Sequence, residues 1–566
     1  MLIIMFSTMR KFILVTIAAL LAAVSAYAGP DGFLKGKVLR IDKETVAEVG
    51  SEGSPFDIDL PIPGVSIGGG SKLSLLDVEL ALKQAAKDDD IAMIYFNYDH
   101  FSAPTSACEE IRRYIREFSE AGKPVVAYGH SLGNGSYYMA SAADRVFLHP
   151  KGSGSLNGLS STQYFLKDLL DTLGVEVKLI RHGKFKSAGE MYIRNSMSPE
   201  NRRQYEALLE ASWSTLVADM AASRGIEASQ LREWIGNLEL GPAATWMDKG
   251  LIDGLKYKDE MEQYICHLFG TTDPDAVKRV NLKEYVKKVK KGSGKKVAVL
   301  YADGEITRDG NEIAGEKFAA QIEKLRKDES VKAVVFRVNS PGGEVVAADI
   351  IRREIELLGK EKPVIASYAS YAASGGYLIS AGCSKIFCDN TTLTGSIGVF
   401  GMVPNLGKAA SKVLKVNFES VESDPHASAG GLFTGMDEEE EAWYQKEIEL
   451  IYEDFIGVVA KGRNMTTEQV DDLAQGRVWA GKDAILLGLC DEKGTLLDAI
   501  DYAAQQAGLS RYKIVTAPEK KKNGFGSKDK KNKPLVMVQD IVSQPGFRAM
   551  AEMPFMTIDP VNPFAL

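Results

Sequence analysis

Two long stretches of this chain read as copies of one another, and that constrains its fold more than any other feature. Gly122-Lys-Pro-Val-Val-Ala127 and then Tyr138-Met-Ala-Ser141 return as Glu361-Lys-Pro-Val-Ile-Ala366 and Tyr377-Leu-Ile-Ser380, 239 residues later. Apolar rows at helical spacing agree, since Ala107, Ile111, Ile115 and Phe118 recur as Ala347, Ile351, Ile355 and Leu358. Further on, Gly250-Leu-Ile-Asp253 pairs with Gly488-Leu-Cys-Asp491. A displacement that holds near 240 over four separate blocks marks a tandem duplication. At 566 residues the chain also exceeds what one hydrophobic core organises.

The second copy shows the class of the repeated unit. Lys332 to Val338 is a buried-strand pattern leading into Asn339-Ser-Pro-Gly-Gly343, and an amphipathic helix follows from about Val345 to Leu358. Pro363 to Tyr368 reads as another strand, Ala372 to Tyr377 as a turn opening a helix, and Lys385 to Cys388 as a strand. Strand and helix alternate, so the class is α/β. The expected domains are residues 29–280 and 297–517, joined by a Lys/Gly linker at 281–296 and followed by a Lys-rich linker and tail at 518–566.

Residues 1–28 differ from the rest. Arg10-Lys11, an uncharged apolar run from Phe12 to Val24, and Ser25-Ala-Tyr-Ala28 form the three regions of an export signal. The apolar stretch approaches the roughly 20 residues that span a bilayer, so the segment is either removed on export or kept as an anchor. A net charge of -8 gives no general reason to expect nucleic acid. The five cysteines, odd in number and set in apolar segments, read as small buried residues rather than a disulfide framework, and no metal-ligand spacing appears.

Chemistry concentrates in the second copy, with one part in the first. Ser374 lies between small residues at a strand-to-helix transition, where backbone can approach a substrate and the helix N-terminus favours negative charge. Gly342-Gly343 ends another strand and can free amides to stabilise an oxyanion. At the corresponding places the first copy has Gly135 and the unrelated stretch around Phe101 to Pro104. It does have Gly183-Lys-Phe-Lys-Ser-Ala188, where the second copy has Ser423 to Ala429 and no lysine. The missing parts are complementary. A lysine serves a serine as base only when neutral, and burial favours that form. Ser396, in Leu393-Thr-Gly-Ser-Ile-Gly398, is a candidate to direct the amine. His426, the one histidine of the second copy, is the competing base in a Ser/His/Asp arrangement.

From about residue 35 to 515 these motifs resemble the signal peptide peptidase A (protease IV) family in its long, two-domain bacterial form. The matching residues are Arg337 to Gly343, Tyr371 to Tyr377, Leu393 to Gly398 and Lys184 to Ala188. The resemblance implies a Clp-protease/crotonase-like fold in each half and a Ser/Lys dyad. Carried over by position, the nucleophile is Ser374, the general base Lys186 with Lys184 as its neighbouring alternative, and the hydroxyl orienting the base Ser396. The oxyanion donors are the amides of Gly375 and Gly343. It further implies a homotetramer on the periplasmic face of the bacterial inner membrane, acting on remnant signal peptides and other apolar peptides without metal or organic cofactor. The expected function is therefore membrane-associated serine endopeptidase. A crotonase-type acyl-CoA enzyme and a non-catalytic scaffold of the same fold are the alternatives.

Overall fold

The structure, a computed structural model, describes residues 32–51, 58–59, 66–67, 71–310, 312–517 and 549–552. The expected signal or anchor at 1–28 and the Lys-rich linker lie outside the described residues. The chain gathers into two compact units. One takes in the described residues up to Leu159 together with Trp213–Lys290; the other takes in Ser160–Ser212 and the described residues from Lys291. Lys186 thus belongs to the same unit as Ser374, although it lies in the first copy by sequence.

The first unit is built on a six-stranded sheet in the order Gly254–Leu255, Arg145–Gly154, Val125–Leu132, Ile91–Asn97, Lys37–Ile41 and Arg279–Asn281. Every neighbouring pair is parallel. Its helix Thr105–Glu120 buries the expected row of Ala107, Ile111, Ile115 and Phe118.

In the second unit the strands are β1 (Glu176–His182), β2 (Lys295–Asp303), β3 (Ile306–Thr307), β4 (Ile313–Ala314), β5 (Val331–Ser340), β6 (Gly342–Glu344), β7 (Val364–Ala373), β8 (Lys385–Cys388), β9 (Leu393–Gly395), β10 (Val399–Asn405), β11 (Val478–Ala480), β12 (Glu492–Lys493), β13 (Tyr512–Ala517) and β14 (Ala549–Glu552). The main sheet runs β11-β9-β7-β5-β2-β13, with β8 on β7 and β12 on β8. It is parallel except for β11 at its edge. Such strands are covered on both faces and so read as unbroken apolar runs. Within β5 only Lys332 is exposed. A second sheet runs β4-β3-β6-β14-β10-β1, and β1 pairs antiparallel with β10 from Val399↔His182 to Asn405↔Glu176. Helices α1 (Val345–Gly359), α2 (Gly375–Leu378) and α3 (Glu438–Arg463) belong to this unit. The row Ala347, Ile351, Ile355 and Leu358 on α1 is buried, each large side chain contributing about 1.5–3 kcal/mol.

The repeated sequence blocks perform the same structural task in each unit. Lys123 donates to the carbonyls of Ala85 and Asp88 at the end of one helix, and Lys362 to those of Leu325 and Asp328 at the end of another. Burial pulls both ammonium groups down in pKa. Asp253 accepts from the amide of Val146 and from Arg224, as Asp491 accepts from the amide of Ile386 and from Arg463. The hydroxyl of Tyr377 donates to the Leu489 carbonyl at 2.8 Å, and in the first unit it is Tyr137, the neighbour of the aligned Tyr138, that donates to the Leu251 carbonyl at 2.8 Å. The duplication is therefore one of internal framework. All five cysteines are buried and free, and burial pushes the Cys383 thiol up to about 12.

Candidate active site

Three strand ends of the main sheet meet at Ser374. Strand β7 stops at Ala373, and Ser374 turns the chain into α2 with φ 55° and ψ -119°, a conformation that a residue with a Cβ rarely adopts. Its amide donates to the carbonyl of Gly395 at the end of β9. Gly376 then packs on the end of β5, and a Cβ there would come 2.5 Å from the Ser340 carbonyl oxygen. Gly343 is fixed by the same crowding, with φ 151° and a would-be Cβ 1.9 Å from the Ile306 carbonyl oxygen. The serine is thus held by backbone packing and not by its own preference. Strain of this kind is a hallmark of functional positions.

Sheet register refines the comparison of the two copies. Ala373 pairs with Gly395 as Leu132 pairs with Gly154, so the residue at the place of Ser374 in the first unit is Gly133, two positions before the expected Gly135. The second copy's strand is two residues longer, which shifts the sequence displacement locally from 239 to 241. A glycine stands there either way.

The amine arrives from the loop after β1. Nζ of Lys186 donates to Ser374 Oγ at 2.7 Å, to Ser396 Oγ at 3.1 Å and to the Ser396 carbonyl at 3.1 Å. All three residues are 0% exposed. Lys184, two residues earlier, is exposed and extends over the Phe185 ring instead. Ser396 is also left-handed, at φ 50°, and its amide donates to the Arg477 carbonyl at 2.7 Å. His426 sits on the surface with Glu440 as its partner at 3.1 Å. Those two residues and Asp437 form the one group of potential metal ligands among the described residues, and the group is largely exposed.

Several positioning residues escaped the sequence reading. The Arg181 guanidinium donates to the Lys186 carbonyl at 2.5 Å and pairs with buried Glu190 at 3.3 Å. Glu190 in turn accepts from the Ser198 amide and from Asn201. On the other side, the Phe185 amide donates to the Gln475 carbonyl, and Gly476 lies against the Lys186 backbone. Gln475 and Gly476 are consecutive left-handed residues, for which a Gln-Gly pair between apolar segments was the available signal. An open cleft of about 320 Å³ lies beside this loop, lined among others by Lys184, Phe185, Gln475 and Arg477, but neither Lys186 nor Ser374 lines it.

A serine hydroxyl held at a strained turn and hydrogen-bonded to a buried amine is the constellation of a serine-type hydrolase. Comparison with known proteins specifies which. The chain matches peptidase family S49 twice, over residues 117–267 and 356–510. It is 34% identical over 451 residues to Protease 4 of Haemophilus influenzae, covering 77% of this chain and 73% of that one. To Protease 4 of Salmonella typhi it is 35% identical over 455 residues, covering 78% and 73%. To the chloroplastic serine protease SPPA of Arabidopsis thaliana it is 33% identical over 463 residues, covering 79% and 68%. The chain belongs to peptidase family S49 and is a serine-type peptidase.

Proposed function

We propose that the protein is a membrane-associated endopeptidase that hydrolyses cleaved signal peptides and other apolar peptides through a dyad of Ser374 and Lys186. The observation that carries the dyad is the 2.7 Å hydrogen bond between Lys186 Nζ and Ser374 Oγ. Desolvation favours a neutral amine, as it does at Lys123 and Lys362, and Lys186 is completely buried. A neutral amine has a lone pair to accept the hydroxyl proton. Ser374 Oγ then attacks the scissile carbonyl while its proton passes to Lys186 Nζ. The oxyanion is held by the amides of Gly375, at the start of α2, and Gly343. Collapse breaks the C–N bond as Lys186 returns the proton to the leaving amine, giving an ester on Ser374. Water activated by Lys186 hydrolyses that ester. Ser396, accepting from Nζ, directs the amine through both half-reactions.

Membrane association is inferred from the apolar run at 1–28, since among the described residues no helix is long and apolar enough to cross a membrane. The periplasmic side of the inner membrane, the homotetramer and the signal-peptide substrates follow from the family resemblance. Peptide hydrolysis by variants tests the dyad. Ser374→Ala and Lys186→Ala should each abolish it, the double variant should be no worse than either, and Lys184→Ala should stay active. A dead Lys184→Ala beside an active Lys186→Ala would mean that the base is wrongly assigned. Cleavage products from a set of synthetic signal peptides, read by mass spectrometry, test the substrate class.

A further inference from the structure

The cleft beside the lysine loop carries three cations, Lys184, Arg203 and Arg477, against two carboxylates, Glu200 and Asp472. Arg203 and Glu200 pair with each other at 3.3 Å. Arg477 differs from them. Its guanidinium carbon lies 3.8 Å from the centre of the Trp479 ring and 5.2 Å from that of Phe185, and the group has no hydrogen-bond or ion-pair partner among the described residues. Burial, and then the neighbouring Arg203, pull its pKa below the ordinary arginine value, and Asp483 only partly offsets them. A half-buried cation short of partners is stabilised by an anion. Stacking occupies the faces of a guanidinium and leaves its N–H edges, which match the two oxygens of a carboxylate. The setting is fixed, since Trp479 Nε1 donates to the Leu473 carbonyl at 2.9 Å and the Phe185 amide to that of Gln475 at 2.9 Å. At about 320 Å³ the cleft falls in the range of small-molecule sites rather than that of a bare inorganic anion, and Phe185 and Ala474 add apolar lining.

We propose that this cleft is a second ligand site, apart from the reacting pair, that takes the free carboxylate of an apolar peptide, and that its occupation slows turnover. A peptidase makes such carboxylates, because each hydrolysis adds water across one C–N bond and leaves one new carboxyl terminus and one new amine. The ligand is thus product, and the site a feedback device. Arg477 is the fork for the carboxylate, Arg203 and Lys184 supply further positive charge, and Phe185 and Ala474 receive the terminal side chain. Two connections reach the candidate active site. The Arg477 carbonyl accepts the Ser396 amide at 2.7 Å, and Phe185 immediately precedes Lys186. An occupant that draws on Arg477 and Phe185 shifts both ends of the contact between Lys186 and Ser396, and a shift of about 1 Å costs on the order of a hundredfold in rate. The effect on turnover rests on the reading of Ser374 and Lys186 as the reacting pair; binding does not.

The test is isothermal titration calorimetry on the full chain carrying Ser374→Ala, so that no ligand is cut. N-acetyl-Leu-Phe with a free carboxylate should bind. Its carboxamide, which lacks the charge, should bind at least about tenfold more weakly, the worth of a charge-assisted hydrogen bond. Inorganic phosphate should also bind more weakly than the acid. Adding Arg477→Gln should weaken the acid about tenfold or more, and adding Arg203→Gln, at an exposed position, about two- to fivefold. With the parent chain and an apolar fluorogenic peptide, the acid should lower kcat and leave KM unchanged. No binding of the acid, equal binding of the carboxamide, phosphate binding as tightly, or affinity unchanged by Arg477→Gln overturns the proposal. Should Arg477→Gln fail to melt as the parent does, Arg203→Gln decides in its place. Competitive inhibition, which would seat the acid on Ser374, or an unchanged kcat overturns the feedback. If the parent does not cleave peptide, the catalytic reading fails, and the calorimetry still decides the site.

Discussion

Replacing Gly476 by alanine should disable the amine without touching it. A Cβ at this position would lie 2.6 Å from both Cβ and N of Lys186 and 2.7 Å from its Cα. Ordinary carbon contacts are 3.5–4.0 Å, so something must yield by about 1 Å. The Gly476 amide is held by the hydrogen bond it donates to the Ile397 carbonyl at 2.8 Å. The lysine loop is therefore the part that moves, carrying Nζ from its place 2.7 Å from Ser374 Oγ. A misplacement of about 1 Å costs on the order of a hundredfold in rate. The φ of 75° adds a backbone penalty of about 1–2 kcal/mol. Gly508→Ala isolates that penalty, because Gly508 has a φ of 67° and nothing within 4 Å of a new Cβ. Both variants should lose a few degrees of Tm, about 2–4 °C per kcal/mol for a unit of this size. Only Gly476→Ala should lose turnover. The assay is kcat on an apolar peptide beside a thermal melt, and a Gly476→Ala protein turning over within about twofold of Gly508→Ala would refute the packing argument.

Three further outcomes are expected. Ser396→Ala should lower kcat by about ten- to a hundredfold, as loss of an orienting partner does elsewhere, and an unchanged rate would remove Ser396 from the site. Hydrolysis should rise with pH through one ionisation, because the ammonium has no lone pair and activity appears only as it deprotonates; a rise centred near the imidazole value of about 6.5 would instead indicate a histidine. Ser374→Gly and Ser374→Ala should both be inactive, yet the glycine variant should be the more stable by about 1–2 kcal/mol, since it relieves the strained φ of 55°. Equal melting temperatures would show that the turn carries no strain.

Much of the candidate site was legible because its parts are local. Ser374 between small residues and Gly342-Gly343 after a strand are short-range patterns that report backbone crowding directly. The Lys-Pro-Val and Gly-Leu-x-Asp repeats were legible for a different reason, in that each lysine and aspartate satisfies the same backbone groups in both units. What sequence did not show was long-range pairing. Lys184 and Lys186 stand two apart in an irregular loop, and only the antiparallel pairing of β1 with β10 decides which one is buried. The same pairing places Ser160–Ser212 in the second unit, where position in the chain suggests the first. Strand β14 was missed because Ala-Met-Ala-Glu carries no alternation of its own, and both its partners lie far away in the chain.

The threading of Lys186 into the second unit sets a clock on biosynthesis. The amine is made 188 residues before the hydroxyl it meets. At about 5–20 residues per second, that is a delay of roughly ten to forty seconds on the ribosome. Throughout it, β1 has no β10 to pair with and stays an open edge that a holding factor or another nascent chain can engage. On the proposed dyad of Ser374 and Lys186, the growing polypeptide is inert for the whole interval, and the power to cut peptide bonds arrives only once β7 through β10 have left the exit tunnel.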